Sequence, residues 1–186
     1  MSSSALRILL LCICDAAIGA QQQPAGLETD WDIGAVFQQI STHAGKMLPL
    51  LEKIDTRAWA QKGAPDAYLA QLQSSKDQAR AVAEGAKNIA RHPEQLSAAL
   101  EIYFRIQGLE TMTASLAEAI RKYQSPAAGQ ELTAFAAQND ENRDRLQKYL
   151  VNLAAEREHD LQVMDREAQR CRGVLTEPAS KGGKKK

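Results

Sequence analysis

The sequence predicts an all-α protein: an up-down-up-down antiparallel four-helix bundle whose long C-terminal helix extends beyond it as a coiled-coil-like overhang. Of the 186 residues 44% are hydrophobic but only 5% are aromatic, which favours helices packed through small side chains over a β-sandwich. Apolar residues recur at spacings of three and four along four long stretches, as on helices with one buried face. Pro65, Pro93 and Pro126 each lie just inside such a stretch, where proline fits the first helical turn.

The bundle domain is predicted over residues 30–175. Its first helix is expected over residues 31–61, with a kink but no break at Pro49, and its second over residues 65–91. The connections between helices are only a few residues long, so neighbouring helices should be antiparallel. The predicted buried faces are Ile33, Phe37, Ile40, Ala44, Met47, Leu51 and Ile54 in the first helix, and Leu69, Leu72, Ser75, Ala79, Val82, Ala86 and Ile89 in the second.

The third helix is expected over residues 93–123 and the fourth, the longest, over residues 126–172. The third has a conspicuously polar middle in its face of Leu96, Leu100, Tyr103, Gln107, Glu110, Thr113, Ala117 and Ile120, with Phe104, Leu109, Met112 and Leu116 broadening it. The fourth carries Leu132, Phe135, Leu146, Leu150, Leu153, Leu161, Met164, Ala168, Cys171 and Leu175. At about 1.5 Å per residue it would span roughly 65 Å, against roughly 40–50 Å for the others.

Residues 1–20 have the layout of a secretory signal peptide. A weakly basic start and an apolar run come before small residues that end at Ala20. A membrane anchor is the alternative, but the run is far short of the roughly 20 apolar residues that span a bilayer, and Asp15 lies within the segment. The sequence therefore predicts a periplasmic or secreted protein, cut near Ala20 or Gln21, with a flexible segment over residues 21–29.

The charge distribution argues against a nucleic-acid partner. Residues 21–180 contain 18 basic and 22 acidic residues, a net charge of −4, which is no electrostatic footprint for nucleic acid. Residues 176–186 form a lysine-rich tail that is expected to be disordered and, at most, to bind anionic surfaces weakly. No stretch is long and apolar enough to predict a membrane span.

No catalytic motif emerges, so the chain is not expected to be an enzyme or to hold a metal or cofactor. Glu156 and His159 have the Glu-x-x-His spacing of di-iron bundles, but those sites need a second copy and two further glutamates, and no carboxylate stands three residues before His43 or His92. The preferred function is an exported binding, scaffolding or sensing module. A metal- or haem-binding redox bundle, using Met47 or Met164 with a histidine, and a periplasmic chaperone-like protein are the alternatives.

Six polar residues are expected to meet near one level of the bundle if the hairpins are centred near residues 63, 92 and 124. Buried polar groups there must pair with one another or with water. They could form a layer that fixes the helix register or line a small-ligand pocket. The six are Ser75, Gln107, Glu110, Thr113, Asn139 and Asn142.

The end of the fourth helix, residues 156–175, should project past the shorter third helix. Its apolar stripe consists of Leu161, Met164, Ala168, Cys171 and Leu175. A protein partner or a second copy is the expected cover, with folding back onto Trp31 and a frayed end as alternatives. Once the signal peptide is removed, Cys171 is the one remaining thiol, and self-association could place it near its mate in an oxidising compartment.

Overall fold

The structure, a computed structural model, describes residues 30–176, with side chains from 33 to 173. The predicted signal peptide, the segment 21–29 and residues 177–186 of the tail lie outside the described residues. The described chain forms helices α1 (Asp30–Glu52), α2 (Thr56–Ala60), α3 (Ala67–Ile89), α4 (Leu96–Tyr123), α5 (Pro126–Ala137) and α6 (Asp140–Thr176). No strand occurs within residues 30–176, so the all-α prediction is confirmed.

The helices pack around one core. α3 packs along α1 and α4, while α5 and α6 both contact α1 and α4. α3 and α4 run antiparallel, because Gln71 donates to the carbonyl of Met112 and Gln78, one heptad later, donates to the carbonyl of Arg105, one heptad earlier (both 3.2 Å). The up-down-up-down order of the whole bundle stays a prediction.

A single first helix over residues 31–61 is wrong. The chain remains helical through Pro49 but ends α1 at Glu52, and a second short helix begins at Thr56. Asp55 explains the new start, because its carboxylate accepts from the backbone N–H groups of the two residues that follow Thr56 (3.1 and 3.2 Å), as an N-cap does. The predicted seam of this region, from Ile33 to Ile54, is buried as expected.

The break before α2 brings an aromatic cluster into one end of the bundle. Trp59 is buried and its ring centroid lies 6.0 Å from that of Tyr68 and 6.2 Å from that of Tyr123. Its Nε1 donates to Gln124 (3.3 Å), and Lys62 donates to the carbonyl of Tyr123 (2.6 Å). A straight helix over residues 31–61 would have no reason to turn this indole into the core.

Two predicted core faces need correction. Leu69 is exposed, because α3 begins only at Ala67 and its first turn lies at the edge of the bundle. In α4 the buried face is rotated by about one residue in its first half: Ala99, Ile102, Ile106 and Leu109 point inward, whereas Phe104 and Gln107 are exposed. Of the polar middle predicted for this helix, Gln107 lies on the outside, Glu110 is partly buried and Thr113 is buried.

The predicted fourth helix is divided at Gln138 and Asn139 into α5 and α6. Asn139 occupies the N-cap position of α6, and the first backbone bond of the new helix runs from Arg143 to its carbonyl (3.0 Å). α5 lies very close to α4: a Cβ at Gly129 would sit 2.6 Å from the carbonyl oxygen of Ala117. Only glycine fits this approach without displacing a helix.

Candidate functional site

Two regions carry the residues predicted to be functional: the polar residues inside the bundle, and the far end of α6. Within the bundle, Ser75 and Thr113 are buried, and each hydroxyl donates to the carbonyl oxygen four residues earlier in its own helix (2.9 and 2.8 Å). Gln107 is exposed and donates to the hydroxyl of Tyr103 (3.1 Å). Ser75 and Thr113 are thus satisfied within single helices, and Gln107 lies outside any buried layer.

Glu110 and the start of α6 are brought together, as expected, but by a residue that the sequence did not single out. Arg143 joins them: its Nη1 lies 3.0 Å from Glu110 Oε2 and its guanidinium also contacts Asp140 and Asp144 (3.2 and 3.1 Å). These hydrogen bonds and carboxylates, Glu110 first, raise the pKa of Arg143 above its ordinary value. The pair ties α4 to α6 at a place where both side chains are 28% exposed.

A small cavity lies beside this ion pair. Its volume is about 20 Å³ and its lining includes His43, Glu110 and Asn139. His43 Nε2 and Glu110 Oε1 are buried without a hydrogen-bond partner in the described part of the chain, while Asn139 accepts from Asn142 (3.4 Å). Such a volume has room for about one water molecule and none for an organic ligand. The geometry therefore favours the register-fixing interpretation of these polar groups over a ligand pocket.

His43 contributes packing to this cluster. Its ring stacks on Phe135 of α5, with centroids 4.4 Å apart and planes 12° from parallel. Burial, followed by the nearby charge of Lys46, lowers the pKa of His43 below its ordinary value. The position of His43 beside the seam of α1 favours a satisfied or partly exposed imidazole over a metal ligand. The residue is partly exposed, but its Nε2 is buried without a hydrogen-bond partner within the described residues. The sequence signal was weak, because His43 stands beside the apolar seam of α1 and its contact partner is 92 positions away in the chain.

An open groove of about 570 Å³ lies between α3 and α4. Three of the polar side chains along it have partners: Arg105 donates to Glu101 (2.7 Å), and His92 Nδ1 lies 3.4 Å from Glu94 Oε1. The other polar side chains that line it, Glu84, Asn88 and Gln95, are exposed to solvent. The buried polar atoms that lack a partner within the described residues, on His43 and Glu110, lie outside this groove.

The end of α6 projects from the bundle as predicted. All side chains over residues 155–173, named the overhang here, are exposed. Near the base of the overhang, Arg157 Nη2 donates to the carbonyl of Glu94 in the bundle (3.4 Å). Leu161 and Met164 are 65% and 66% exposed, and Cys171 is a free, exposed thiol. Leu175 belongs to α6, but its side chain lies outside the described residues.

The Glu-x-x-His spacing noted in the sequence lies on the overhang. Glu156 and His159 are both exposed on it, and within the described side chains no three His, Cys, Asp or Glu residues are grouped as a metal site. None of the helices described between residues 30 and 176 combines the length and hydropathy that a membrane crossing requires.

Comparison with protein-family models, with curated proteins and with solved structures gives no match.

Proposed function

We propose that this protein works outside the cytoplasm as a protein-binding module, in which the bundle is a base and the overhang is the contact surface. The observation that carries this proposal is the seam formed by Leu161, Met164, Ala168 and Cys171. It keeps the three- and four-residue spacing of a coiled coil, and every one of its side chains is exposed. An exposed apolar seam with this spacing is typical of a helix that contacts another helix.

The energetics of an isolated helix support the same function. A helix without tertiary contacts is marginal in water and draws its stability from burial of an apolar face. Covering Leu161 and Met164 would contribute about 1.5–3 kcal/mol each, with smaller gains from Ala168 and Cys171. Doubled across a pair of helices, this exceeds the lower estimates of the entropic cost of association. The overhang therefore has enough apolar surface for reversible binding.

Export is part of the proposal and has its own measurement. The signal-like layout of residues 1–20 supports it. Intact-mass analysis of protein recovered from outside the cytoplasm should show a chain that begins near Ala20 or Gln21. Recovered protein that still begins at Met1 would contradict export by cleavage.

A site-specific photo-crosslinker tests the contact surface in the producing cell. Placed at Leu161 or Met164, it should capture a protein partner, because these positions lie on the seam. The matched control is Arg166, which is on the same exposed helix but away from the seam. Adducts from the seam positions and few from Arg166 are the expected result; no protein adduct from either seam position would overturn the proposal.

Truncation after Arg157 separates a contact surface from a structural one. The described side chains that the truncation removes, over residues 158–173, are all exposed. The bundle should therefore unfold at the same temperature within a few degrees, while the adducts and any larger species disappear. A truncated chain that fails to fold would assign these residues to the core instead.

A further inference from the structure

From the charges and side-chain sizes along the overhang we infer that its partner is a second copy of this chain, paired antiparallel through the same seam. This inference rests on the proposed function, since it names the partner of that surface. In the pairing, Leu161 of one copy faces Cys171 of the other, and Met164 faces Ala168. The two-fold axis crosses the seam at the level of residue 166, close to the middle of the exposed stretch.

The first half of the overhang is acidic and its second half is basic. Residues 155–165 contain four acidic side chains and one basic, a net charge of −3: Glu156, Glu158, Asp160 and Asp165 with Arg157. Residues 166–173 contain three basic side chains and one acidic, a net charge of +2: Arg166, Arg170 and Arg172 with Glu167. An antiparallel pair places each acidic half against a basic half, whereas a parallel pair places like charges together.

Two local contacts refine this complementarity. Beside the seam, the pairing brings Glu158 of one copy next to Arg172 of the other. The carboxylates nearest the two-fold axis meet their own copies, but each is engaged within its helix: Asp165 accepts from Gln169 (2.8 Å), and Glu167 lies 3.5 Å from Arg170. The attractive contacts thus lie at the ends of the pair and the moderated ones at its centre.

Side-chain size selects the same register. The seam reads large, large, small, small from Leu161 to Cys171. Antiparallel pairing sets each large residue against a small one at every layer, which keeps the two helices at an even distance. Parallel pairing would set leucine on leucine and methionine on methionine at the base, then alanine and cysteine on their own copies near the tip, where the helices would have to converge.

The position of Cys171 distinguishes the two arrangements. In the antiparallel pair the two Cys171 residues lie ten positions apart along the axis, about 15 Å at the helical rise, well beyond the Cα separation of roughly 7 Å that a disulfide tolerates. In a parallel pair they would be neighbours. The antiparallel dimer is therefore held without a native disulfide, and it differs from the expectation that self-association places Cys171 near its mate.

Cysteine placement tests this pairing on the full chain, with Cys12 and Cys14 replaced by serine in every sample. Oxidised glutathione should leave the chain with Cys171 alone uncrosslinked. The Leu161→Cys variant should give a covalent dimer through its new thiol and Cys171 of the other copy, whereas Arg166→Cys, which faces away from the seam, should crosslink at least tenfold less. Rapid covalent dimerisation through Cys171 alone would overturn the antiparallel pairing.

Exchange of charges provides a second test that does not depend on a thiol. By sedimentation equilibrium, Glu158→Arg and Arg172→Glu should each weaken dimerisation about tenfold, and the double variant should return to within about threefold of the original chain. Higher salt should weaken the original dimer. Failure of the double variant to recover would overturn the proposed register.

The two proposals fail differently. A chain that stays monomeric at about 100 μM, combined with seam adducts to a different protein, would overturn the second copy and leave the protein-binding function standing. A monomeric chain without any seam adduct would overturn both.

Discussion

The two parts of α6 share one helix and one apolar periodicity but have opposite surroundings. Over residues 140–154, Leu146, Leu150 and Leu153 are buried against α1 and α4. Over the overhang, Leu161 and Met164 continue the stripe into solvent. The difference arises from the neighbours, because α4 begins only at Leu96 and the chain before it turns away. A periodic stripe predicts a face to be covered, and the lengths of the adjacent helices decide whether the same chain covers it.

The largest expected difference between the two parts is the cost of shortening a leucine. Leu146→Ala should lower the free energy of unfolding by about 2–5 kcal/mol, because it leaves a cavity in the core. Leu161→Ala should change it by less than about 0.5 kcal/mol. Urea unfolding at a protein concentration too low for association measures both. Equal costs would show that the overhang packs on its own bundle.

Two glycines differ in the room that they leave for a side chain, one in the bundle and one on the overhang. Gly129→Ala should destabilise the bundle by about 1–3 kcal/mol, because the added methyl group would clash with Arg121 Cγ and with the Ala117 carbonyl. Gly173→Ala meets nothing within 4 Å, and should increase the helical signal of the overhang without changing the urea midpoint. Circular dichroism at 222 nm reports both outcomes; a tolerated Gly129→Ala would contradict the close approach of α4 and α5.

The ion pairs of the two parts should differ by a smaller amount. Glu110→Gln weakens a partly buried contact between α4 and α6 and should cost about 1 kcal/mol. Glu167→Gln acts on an exposed contact within the overhang and should cost almost nothing. The same urea series measures both, and an unchanged midpoint for Glu110→Gln would remove the structural role of its bond to Arg143.

The smallest expected effect is the pH dependence contributed by His43. Because its pKa in the folded protein is below the ordinary value of about 6.5, the unfolded chain takes up a proton first as pH falls. Stability should therefore be unaffected by His43 above about pH 6.5 and decrease below it. His43→Gln should reduce the loss of stability between pH 7 and pH 5, while His159→Gln on the overhang is the control. Identical profiles for the original chain and His43→Gln would contradict this role.

The sequence predicted the structure correctly where the spacing of apolar residues allowed only one arrangement. The seam of α1 and the projecting end of α6 followed from spacing and from helix length. The phase of α4 could not be derived, because Leu100, Tyr103 and Phe104 offer a second apolar stripe beside Ile102 and Ile106, and only the neighbouring helices select between them. The boundaries at Asp55 and Asn139 were signalled by capping residues, but each lay inside a continuing apolar pattern that masked it.

Within the candidate site, the polar residues were found and their partners were not. Glu110 and Asn139 do lie beside the same cavity. Arg143 contacts Glu110 and Phe135 stacks on His43. Where these two residues lie depends on the break between α5 and α6. The side chain that Glu110 meets was therefore beyond the reach of a pattern drawn for one continuous helix.

The hydrogen bond from Arg157 to the carbonyl of Glu94 also marks a boundary between slow and fast local opening of α6. Beyond it the backbone hydrogen bonds can open from the free end without disturbing the core, so their amides should exchange with solvent much faster than those around Leu146. Arg166, Arg170 and Arg172 then give an arginine-specific protease a series of sites, each cut shortening the seam from its tip. Association would protect all three arginines at once. The rate of digestion would then report how long the associated state lasts.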